Sequence, residues 1–447
     1  MPKSTDEYHK LDRKSIWHPF TRHSAQREQA FPIIARGEGP FLFDLEGNRY
    51  LDAISSWWCC NLGHTHPRVI EALKEQCDRL QHSILANLSH PKVIELSDRL
   101  LGHFPDRNRR VLFAGDGASA VEAAMRQAVQ YWHNIGKPGK NRFAALQEGY
   151  HGDTLGAMSL GFMPSFHAPY KDIVMPVHHA EAPFCAGCRL GCSPDTCALE
   201  CLADMRRILE DHADELAAVV IESNCQGAAG MRIFSPAYLR ELSRLCSQHD
   251  VLLIVDEIAM GFGRTGRMFS FEHAGIDPDI VCLGKGLSAG YLPVSAAVTR
   301  EAIYESFNDT PVDHTFYHGH TFAGNPLGMT AALACLKVYE EDRIVEQAAA
   351  KGRLMAQEFE RFRDLPQVEN VRSLGMIAAV DVKDGPDGTP ATERAQQVRQ
   401  TLMNREIMLR PRGNVLYLMP PLITDEELLL DAARKLFEAV SELPRST

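Results

Sequence analysis

The sequence predicts an α/β fold, with a doubly wound, mostly parallel sheet and a smaller α+β domain. Three short runs rich in Val, Ile and Leu support this prediction, at residues 111–114, 251–255 and 280–283. Runs of this length and composition are typical of strands buried on both faces of a parallel sheet. Helix-like stretches separate such runs, which is the alternation that a parallel sheet requires.

The other elements follow from the same patterns, taken along the chain. Residues 1–30 are interpreted as a polar lead-in. Short apolar runs predict further strands at residues 31–35, 41–44, 142–147, 217–221, 293–298, 376–382 and 415–419. Apolar residues spaced three and four apart predict helices at residues 69–80, 91–101, 120–128, 201–212, 236–249, 326–339, 344–362, 392–405 and 425–443.

A chain of 447 residues is long enough for two closely associated domains. We expect residues 66–330 to form the large, cofactor-binding domain. Residues 1–65 and 331–447 are expected to form the two parts of the smaller domain.

Composition and charge exclude several classes of function. A formal net charge of −11, without a dense run of Lys and Arg, argues against a nucleic-acid surface. No stretch approaches eighteen uninterrupted apolar residues, so we expect no membrane span. The polar N-terminus has no apolar core of a signal peptide, and the expected compartment is the cytoplasm.

Five of the twelve cysteines fall in one short stretch: Cys185, Cys188, Cys192, Cys197 and Cys201. The first two form a CxxC pair, which could begin a zinc or iron–sulfur site. The later spacings match no zinc or ferredoxin pattern, and the stretch lies between elements, where insertions accumulate. We therefore expect reduced thiols and no metal.

Lys285, Asp256 and a glycine turn at residues 115–119 each follow one of the three apolar runs. Ligands of open α/β sheets bind beyond the carboxyl ends of the strands, so these groups are expected to converge. A lysine amine, a carboxylate and backbone N–H groups suit pyridoxal phosphate, which offers an aldehyde, a pyridine nitrogen and a phosphate.

The same glycines permit a rival interpretation as a dinucleotide site. The pattern Gly115-x-Gly117-x-x-Ala120 follows a strand and opens a helix, and Glu148 ends the next strand, where it could hold a ribose. An NAD-dependent dehydrogenase, however, has no need for Asp256 and Lys285 at neighbouring strand ends. A regulator that uses the domain as a sensor is less favoured, because no basic helix-turn-helix segment is present.

Longer motifs surround the same residues. They read DEIAMGFGRTG at residues 256–266, LGKG at residues 283–286 and GHTFAGNP at residues 319–326. In these motifs, and over residues 17–422 as a whole, the chain resembles the subgroup-III, fold-type I aminotransferases. Residues 17–21, 55–58 and 409–421 are similar to the members of that family that act on 8-amino-7-oxononanoate in biotin synthesis, forming 7,8-diaminononanoate.

This resemblance implies a homodimer with shared active sites, pyridoxal 5'-phosphate as cofactor and small-molecule substrates. It implies that Lys285 forms the Schiff base, that Asp256 pairs with the pyridine nitrogen and that Tyr150 stacks on the ring. The phosphate contacts would come from Gly117 and Ala118, and from Thr321 of the other subunit. The implied substrate contacts are Trp57, Trp58, Gly319 and Arg410, of which the arginine would pair with a substrate carboxylate.

The chain departs from the resemblance at two places, and both concern the amino donor. Phe20 stands where members that use S-adenosylmethionine have a tyrosine. Residues 131–140 are closer to relatives that use lysine. The donor is thus S-adenosylmethionine or lysine, and an ω-aminotransferase acting on a diamine or a β-amino acid is the alternative.

Overall fold

A computed structural model describes residues 3–28, 30–192, 197–310 and 312–445, without the side chains of Glu28 and Ser165. Its strands are β1 (Ile34–Glu38), β2 (Phe41–Asp44), β3 (Arg49–Asp52), β4 (Arg109–Ala114), β5 (Arg142–Leu146), β6 (His178–Ala180), β7 (Leu216–Glu222), β8 (Cys225–Gln226), β9 (Arg232–Ile233), β10 (Leu252–Asp256), β11 (Ile280–Leu283), β12 (Ser295–Arg300), β13 (Val368–Leu374), β14 (Ile377–Val382), β15 (Ile407–Met408) and β16 (Val415–Leu418).

Its α-helices are α1 (Thr5–Ser15), α2 (His23–Glu28), α3 (Ser55–Trp58), α4 (Pro67–Cys77), α5 (Pro91–Leu101), α6 (Gly117–Asn134), α7 (Leu155–Leu160), α8 (Pro164–His167), α9 (Ala203–His212), α10 (Pro236–Gln248), α11 (Glu301–Tyr304), α12 (Pro326–Glu341), α13 (Ile344–Glu360), α14 (Ala391–Asn404) and α15 (Glu426–Ser441).

A seven-stranded sheet forms the centre of the molecule, in the order β4-β12-β11-β10-β7-β5-β6. Its strands are parallel from β11 to β6, and every residue of β7, β10 and β11 is buried. Burial on both faces explains the continuous apolar runs in the sequence. The predicted α/β fold with a mostly parallel sheet is confirmed.

Strand β12 runs antiparallel to both of its neighbours, β11 and β4. Its first residue, Ser295, therefore lies at the same edge of the sheet as the carboxyl ends of β4 and β11. The Ser295 hydroxyl donates a hydrogen bond of 2.5 Å to the carbonyl of Asp116, just beyond β4. The start of β12 thus supports the glycine turn directly.

Helix α6 packs across the sheet behind that turn. Asp116 caps the helix, since its Oδ1 accepts the backbone N–H of Ser119 at 2.9 Å. Near the other end, the indole of Trp132 donates to the carbonyl of Ala217 in β7 at 2.8 Å. The amino end of α6 is therefore held at the edge where β4, β10 and β11 end.

Two smaller sheets are built from the terminal parts of the chain. In the order β1-β2-β3-β15, the last strand pairs in parallel with β3, which places Ile407 opposite Leu51. The sheet β13-β14-β16 is antiparallel and packs against α13. The domain boundaries at residues 65 and 330 stay a prediction.

The polar lead-in at residues 1–30 contains two helices that the sequence did not predict, α1 and α2. Ser4 and Glu7 form a capping box at the start of α1. Helix α1 has no buried residue, so no apolar periodicity revealed it. The first strand also begins three residues later than predicted, at Ile34.

Within the described residues, no helix combines the length and the apolar character needed to cross a membrane.

Candidate active site

A cavity of about 700 Å³ lies at the edge of the central sheet where the parallel strands end. Six residues that the sequence singled out line it: Trp58, Gly117, Ala118, Tyr150, Asp256 and Lys285. They come from the ends of three strands (β5, β10 and β11), the start of α6 and the turn after β3. The convergence expected from the strand ends is therefore present.

Lys285 enters the cavity from the turn that follows β11. Its backbone is left-handed, with φ of +39°, and its Nζ lies 5.3 Å from the centre of the Trp58 ring. Burial lowers the pKa of this amine, while the charges of Asp256 and Glu222 oppose the shift. A lowered pKa favours the neutral amine, the form that can act as a nucleophile or base.

Asp256 ends β10 on the floor of the cavity. Its Oδ1 accepts the backbone N–H of Ile258 at 3.0 Å, and its Oδ2 lies 2.8 Å from Nδ1 of His151. Burial disfavours a charged imidazole, but the hydrogen bond and charge of Asp256, together with the charge of Glu222, raise the pKa of His151. The carboxylate is thus fixed in position, and it favours the protonated form of the His151 imidazole.

Glu222 ends β7 beside this pair. Its carboxylate accepts the backbone N–H groups of Tyr150 at 3.0 Å and Gly227 at 2.9 Å. Burial raises the pKa of Glu222 to about 7, although the charge of His151 acts in the opposite direction. Glu222 thereby fixes the backbone of Tyr150, whose hydroxyl donates to Asp153 at 2.9 Å.

The start of α6 closes one end of the cavity. Gly115, Gly117 and Ala118 line it there. A side chain at Gly115 would meet no protein atom within 4 Å and would project into the open space. Because the helix has 18 residues, its free N–H groups and dipole favour an anion at this position.

The turn at residues 55–58 is left-handed at four successive positions, with φ between +45° and +73°. Each such residue is disfavoured by roughly 1–2 kcal/mol, so the turn requires support. Asp52 accepts the backbone N–H and the hydroxyl of Ser56 at 2.9 and 2.7 Å. The Ser55 hydroxyl donates to the carbonyl of Met419 at 2.7 Å, and the Trp58 indole donates to the Tyr417 hydroxyl at 3.2 Å.

This turn separates the two tryptophans. Trp58 is 6% exposed and lines the cavity, whereas Trp57 is 39% exposed and is not among the lining residues. The Arg410 guanidinium lies over the Trp57 ring, 4.4 Å from its centre, and its Nη2 donates to the carbonyl of Phe20 at 3.3 Å. Phe20 packs edge-on against Trp57 at 5.5 Å. Arg410, Trp57 and Phe20 thus form one exposed group outside the cavity.

Gly319 and Thr321 do not line the cavity of their own chain. Both are exposed, in a segment that is joined to α6 by Arg126, whose Nη1 lies 2.8 Å from Nδ1 of His318. For Thr321 this position is compatible with the implied contact to another subunit, which stays a prediction. The role of Gly319 stays a prediction as well.

Cys59 follows Trp58 in the cavity wall, with its Sγ 3.8 Å from that of Cys60. The hydrogen bond from Cys60 lowers the pKa of the Cys59 thiol, and the charge of Lys285 acts in the same direction. That hydrogen bond and burial raise the pKa of Cys60. Cys59 is therefore the more acidic of the two thiols.

Comparison with known proteins assigns the chain to a family. The model of the class-III aminotransferases matches residues 23–440. The chain belongs to the class-III aminotransferase family. Membership of this family favours a pyridoxal phosphate site at the glycine turn over the dinucleotide site of a dehydrogenase.

Relatives and solved structures similar to this aminotransferase cover almost all of the chain. An adenosylmethionine-8-amino-7-oxononanoate aminotransferase from Geobacter sulfurreducens is 41% identical, over 96% of this chain and 97% of the relative. The crystal structure of the protein of that name from Methanocaldococcus jannaschii has a TM-score of 0.92 at 37% identity, covering 98% of this chain and 100% of that one. An omega transaminase from Pseudomonas jessenii in complex with PMP has a TM-score of 0.90 at 28% identity, covering 97% and 98%.

Three buried residues of this aminotransferase were missed as site residues by sequence reasoning: His151, Glu222 and Arg264. A signal for Glu222 was available, because it directly follows the strand predicted at residues 217–221. His151 is 105 residues from Asp256, and no pattern links them. Arg264 lies inside the quoted DEIAMGFGRTG motif and donates to the Ser55 hydroxyl at 3.1 Å and to the Asn61 amide oxygen at 2.7 Å.

All twelve cysteines of this aminotransferase have free thiols. Among the described residues, the one group of three or more potential ligands with mutually close ligand atoms contains none of the five clustered cysteines.

Proposed function

We propose that this aminotransferase uses pyridoxal 5'-phosphate, bound at Lys285, to transfer an amino group to 8-amino-7-oxononanoate. The product would be 7,8-diaminononanoate, an intermediate of biotin synthesis. The observation that carries the proposal is the meeting of Lys285, Asp256 and the start of α6 around one cavity of about 700 Å³. The names of the relatives from Geobacter sulfurreducens and Methanocaldococcus jannaschii support the substrate.

The cavity fits this cofactor at each of its functional groups. The amine of Lys285 suits the aldehyde, and the fixed carboxylate of Asp256 suits a protonated pyridine nitrogen. Tyr150 lines the same cavity and would stack on the ring. The space left free at Gly115, beside the N–H groups of Gly117 and Ala118, suits the phosphate.

When bound, pyridoxal phosphate supplies the aldehyde that takes up the amino group and a ring that accepts electrons. The neutral amine of Lys285 would remove the proton from the substrate carbon that bears the amino nitrogen, and would hold this proton on Nζ for the later transfer. Asp256 would hold a proton on the ring nitrogen, because His151 and the Ile258 N–H fix its carboxylate. Trp58 would exclude water from one side of the cavity.

The substrate chain would leave the cavity past the tryptophan turn. Its methylene groups require apolar contacts, which Trp58 and Trp57 would provide. Its carboxylate requires a cation, and Arg410 is already oriented by its stacking on Trp57. The guanidinium can bind a carboxylate through two N–H groups. The proposed substrate contacts are therefore Trp57, Trp58, Gly319 and Arg410.

The proposed assembly is a homodimer in which each cavity is completed by Thr321 of the partner. Three apolar side chains between residues 312 and 322 support it, since Tyr317 is 75% exposed, Phe322 69% and Val312 59%. Side chains of this kind are typical of surfaces that a partner covers. The proposed compartment is the cytoplasm, since twelve free thiols suit a reducing environment.

A spectral titration tests this function and identifies the donor. S-adenosylmethionine, lysine and a diamine are added separately to the cofactor-loaded protein, and the visible absorbance of the Lys285-bound cofactor is followed. We expect S-adenosylmethionine to bleach this absorbance and 8-amino-7-oxononanoate to restore it, with 7,8-diaminononanoate detected by mass spectrometry. Bleaching by lysine alone would reassign the donor, in agreement with Phe20.

Restoration by other ketones, but not by 8-amino-7-oxononanoate, would contradict the proposal. It would indicate an ω-aminotransferase acting on another amine, as the likeness to the Pseudomonas jessenii omega transaminase allows.

A further inference from the structure

His178, His212 and Glu215 bring three metal-binding atoms together outside the active site. Nε2 of His178 lies 3.2 Å from Oε1 of Glu215, and Nδ1 of His212 lies 2.7 Å from the same oxygen. All three atoms lie within 4.8 Å of one another. In the described part of the chain this is the one group of three or more His, Cys, Asp or Glu side chains so arranged.

A strand, a helix end and the turn between α9 and β7 supply the three residues. His178 begins β6, opposite Ala144 of the neighbouring strand β5. His212 ends α9, and its carbonyl accepts the backbone N–H of Glu215 at 3.0 Å. The Glu215 carbonyl in turn accepts the N–H groups of Asn141 and Arg142, each at 2.9 Å. Strand pairing and backbone hydrogen bonds therefore hold the three residues in position.

The group lies at the opposite edge of the sheet from the cavity. Glu215 directly precedes β7 and His178 begins β6, whereas the cavity lies where β7 and β10 end. Parallel strands place their amino ends at one edge and their carboxyl ends at the other. A ligand here would not touch the reacting atoms.

The group is accessible from solvent, and its carboxylate has no lysine or arginine as a partner among the described residues. The side chains of His178, His212 and Glu215 are 28%, 39% and 44% exposed. Among the described residues, the two imidazoles are the only ion-pair partners of this carboxylate. A cation could therefore enter without displacing a lysine or arginine.

The ligand atoms suit a transition-metal cation. Imidazole nitrogen and carboxylate oxygen bind Zn²⁺ at about 2.0–2.2 Å, which separates neighbouring ligands of a tetrahedral ion by roughly 3.3 Å. The observed separations from the shared oxygen are 3.2 and 2.7 Å, and the two nitrogens lie within 4.8 Å of each other. The imidazole rings already lie side by side, with centroids 4.0 Å apart and planes tilted by 32°.

We propose that His178, His212 and Glu215 form a binding site for a divalent transition-metal cation such as Zn²⁺, with water in the fourth position. The bound ion ties the outermost strand β6 to the turn between α9 and β7. It strengthens the edge of the sheet and takes no part in amino transfer.

Zinc titration of the cofactor-loaded enzyme, after dialysis against a chelator, tests this site. The variants are His178→Gln and Glu215→Gln, and the control is His133→Gln, which removes an exposed imidazole elsewhere. Loss of an outer-shell partner alone weakens metal binding about 10- to 100-fold. We therefore expect the wild type to bind one zinc ion per chain at this site, and each site variant to bind that ion at least about tenfold more weakly. The control should bind it like the wild type.

X-ray absorption at the zinc edge identifies the ligand atoms of the bound zinc ion. Nitrogen and oxygen at about 2.0–2.1 Å are expected, whereas a sulfur shell at about 2.3 Å would place the ion at the cysteines. A sulfur shell, or equal zinc affinity in the wild type and both site variants, would overturn the proposal. Amino-transfer activity of the site variants stays at the wild-type level if the protein is folded, so failure here is distinguishable from failure of the proposed function.

Discussion

Nδ1 of His151 lies 2.8 Å from Oδ2 of Asp256, and their side chains are only 1% and 5% exposed. A hydrogen bond to a charged group in such surroundings is worth more than one in water. The imidazole therefore positions the carboxylate that would face the ring nitrogen of the cofactor. His151 is a positioning residue, and its removal should affect activity through Asp256.

His151→Asn is expected to lower kcat by about 10- to 150-fold, since a hydrogen bond to a charged group contributes about 1.5–3 kcal/mol. KM for the amino donor should change much less. Steady-state kinetics on cofactor-saturated enzyme provide the measurement. The control is His179→Asn, because His179 bonds to the backbone carbonyl of Leu160 and does not line the cavity.

The pH dependence of the free energy of unfolding shows whether His151 acts through its charge on Asp256 or only by filling space. Because the pKa of His151 is raised in the folded protein, its contribution to stability is complete below the ordinary histidine pKa of about 6.5. It is lost as the pH rises through the folded pKa. The difference in urea stability between wild type and His151→Asn should therefore shrink with increasing pH. A constant difference would indicate a packing role only.

Lys285→Ala is expected to abolish the covalent attachment of the cofactor. It should also lower turnover by at least about 10²-fold, the smaller contribution that a general base usually makes. Borohydride reduction followed by peptide mass spectrometry should find no adduct at position 285. Lys285→Arg is the matched variant, since arginine keeps a long basic side chain but its guanidinium cannot replace the amine. Undiminished turnover in either variant would contradict the assignment of Lys285.

Cys59 is expected to react with iodoacetamide at lower pH than a free thiol, whose pKa is about 8.5. Its thiolate is stabilised first by the hydrogen bond from Cys60 and then by Lys285. Cys60→Ala should shift the midpoint of labelling at residue 59 to higher pH. Peptide mass spectrometry over a pH series measures this. An unchanged midpoint would show that Cys60 does not donate to Cys59.

Arg264→Met is expected to lower the free energy of unfolding by at least about 2 kcal/mol. It leaves the Ser55 hydroxyl and the Asn61 amide oxygen without a buried donor, and each loss costs about 1–3 kcal/mol. The measurement is the Tm at fixed protein concentration and scan rate. Arg267→Met, at an exposed position three residues on, should leave the Tm nearly unchanged. Equal effects of the two substitutions would contradict the role of Arg264.

Arg410→Ala is expected to raise KM for 8-amino-7-oxononanoate by about tenfold or more, through the loss of a charged hydrogen bond. The absorbance of the bound cofactor should stay unchanged. Arg410→Lys should not restore the KM, because lysine offers neither the planar fork nor the stacking on Trp57. Arg405→Ala, which breaks ion pairs with Glu438 and Glu442 elsewhere, is the control. Loss of cofactor binding with a normal KM would place the anion site elsewhere.

The sequence predicted those parts of the structure that depend on local pattern. Asp256 and Lys285 were found because each follows a buried apolar run, and parallel strands end at one edge. Helices α5 and α10 were predicted to within a residue, since both begin at a proline and have a buried face. Helix α1 lacks such a face and was missed.

The remaining features depend on contacts between distant segments. The partner of Asp256 is His151, whose position depends on how β5 and β10 are placed in the sheet. The outward position of Trp57 depends on four left-handed residues, and neither glycine nor a proline marked that turn. The roles of Gly319 and Thr321 concern a second subunit and stay predictions.

The supports of the left-handed turn also bear on how the protein is made. Ser55 and Trp58 are held by Met419 and Tyr417, 364 and 359 residues further along the chain. A nascent polypeptide that already contains Asp256 and Lys285 still lacks both of these hydrogen-bond partners. The left-handed turn can therefore gain these two hydrogen bonds only after residues 417 and 419 have been synthesised, close to the end of the chain.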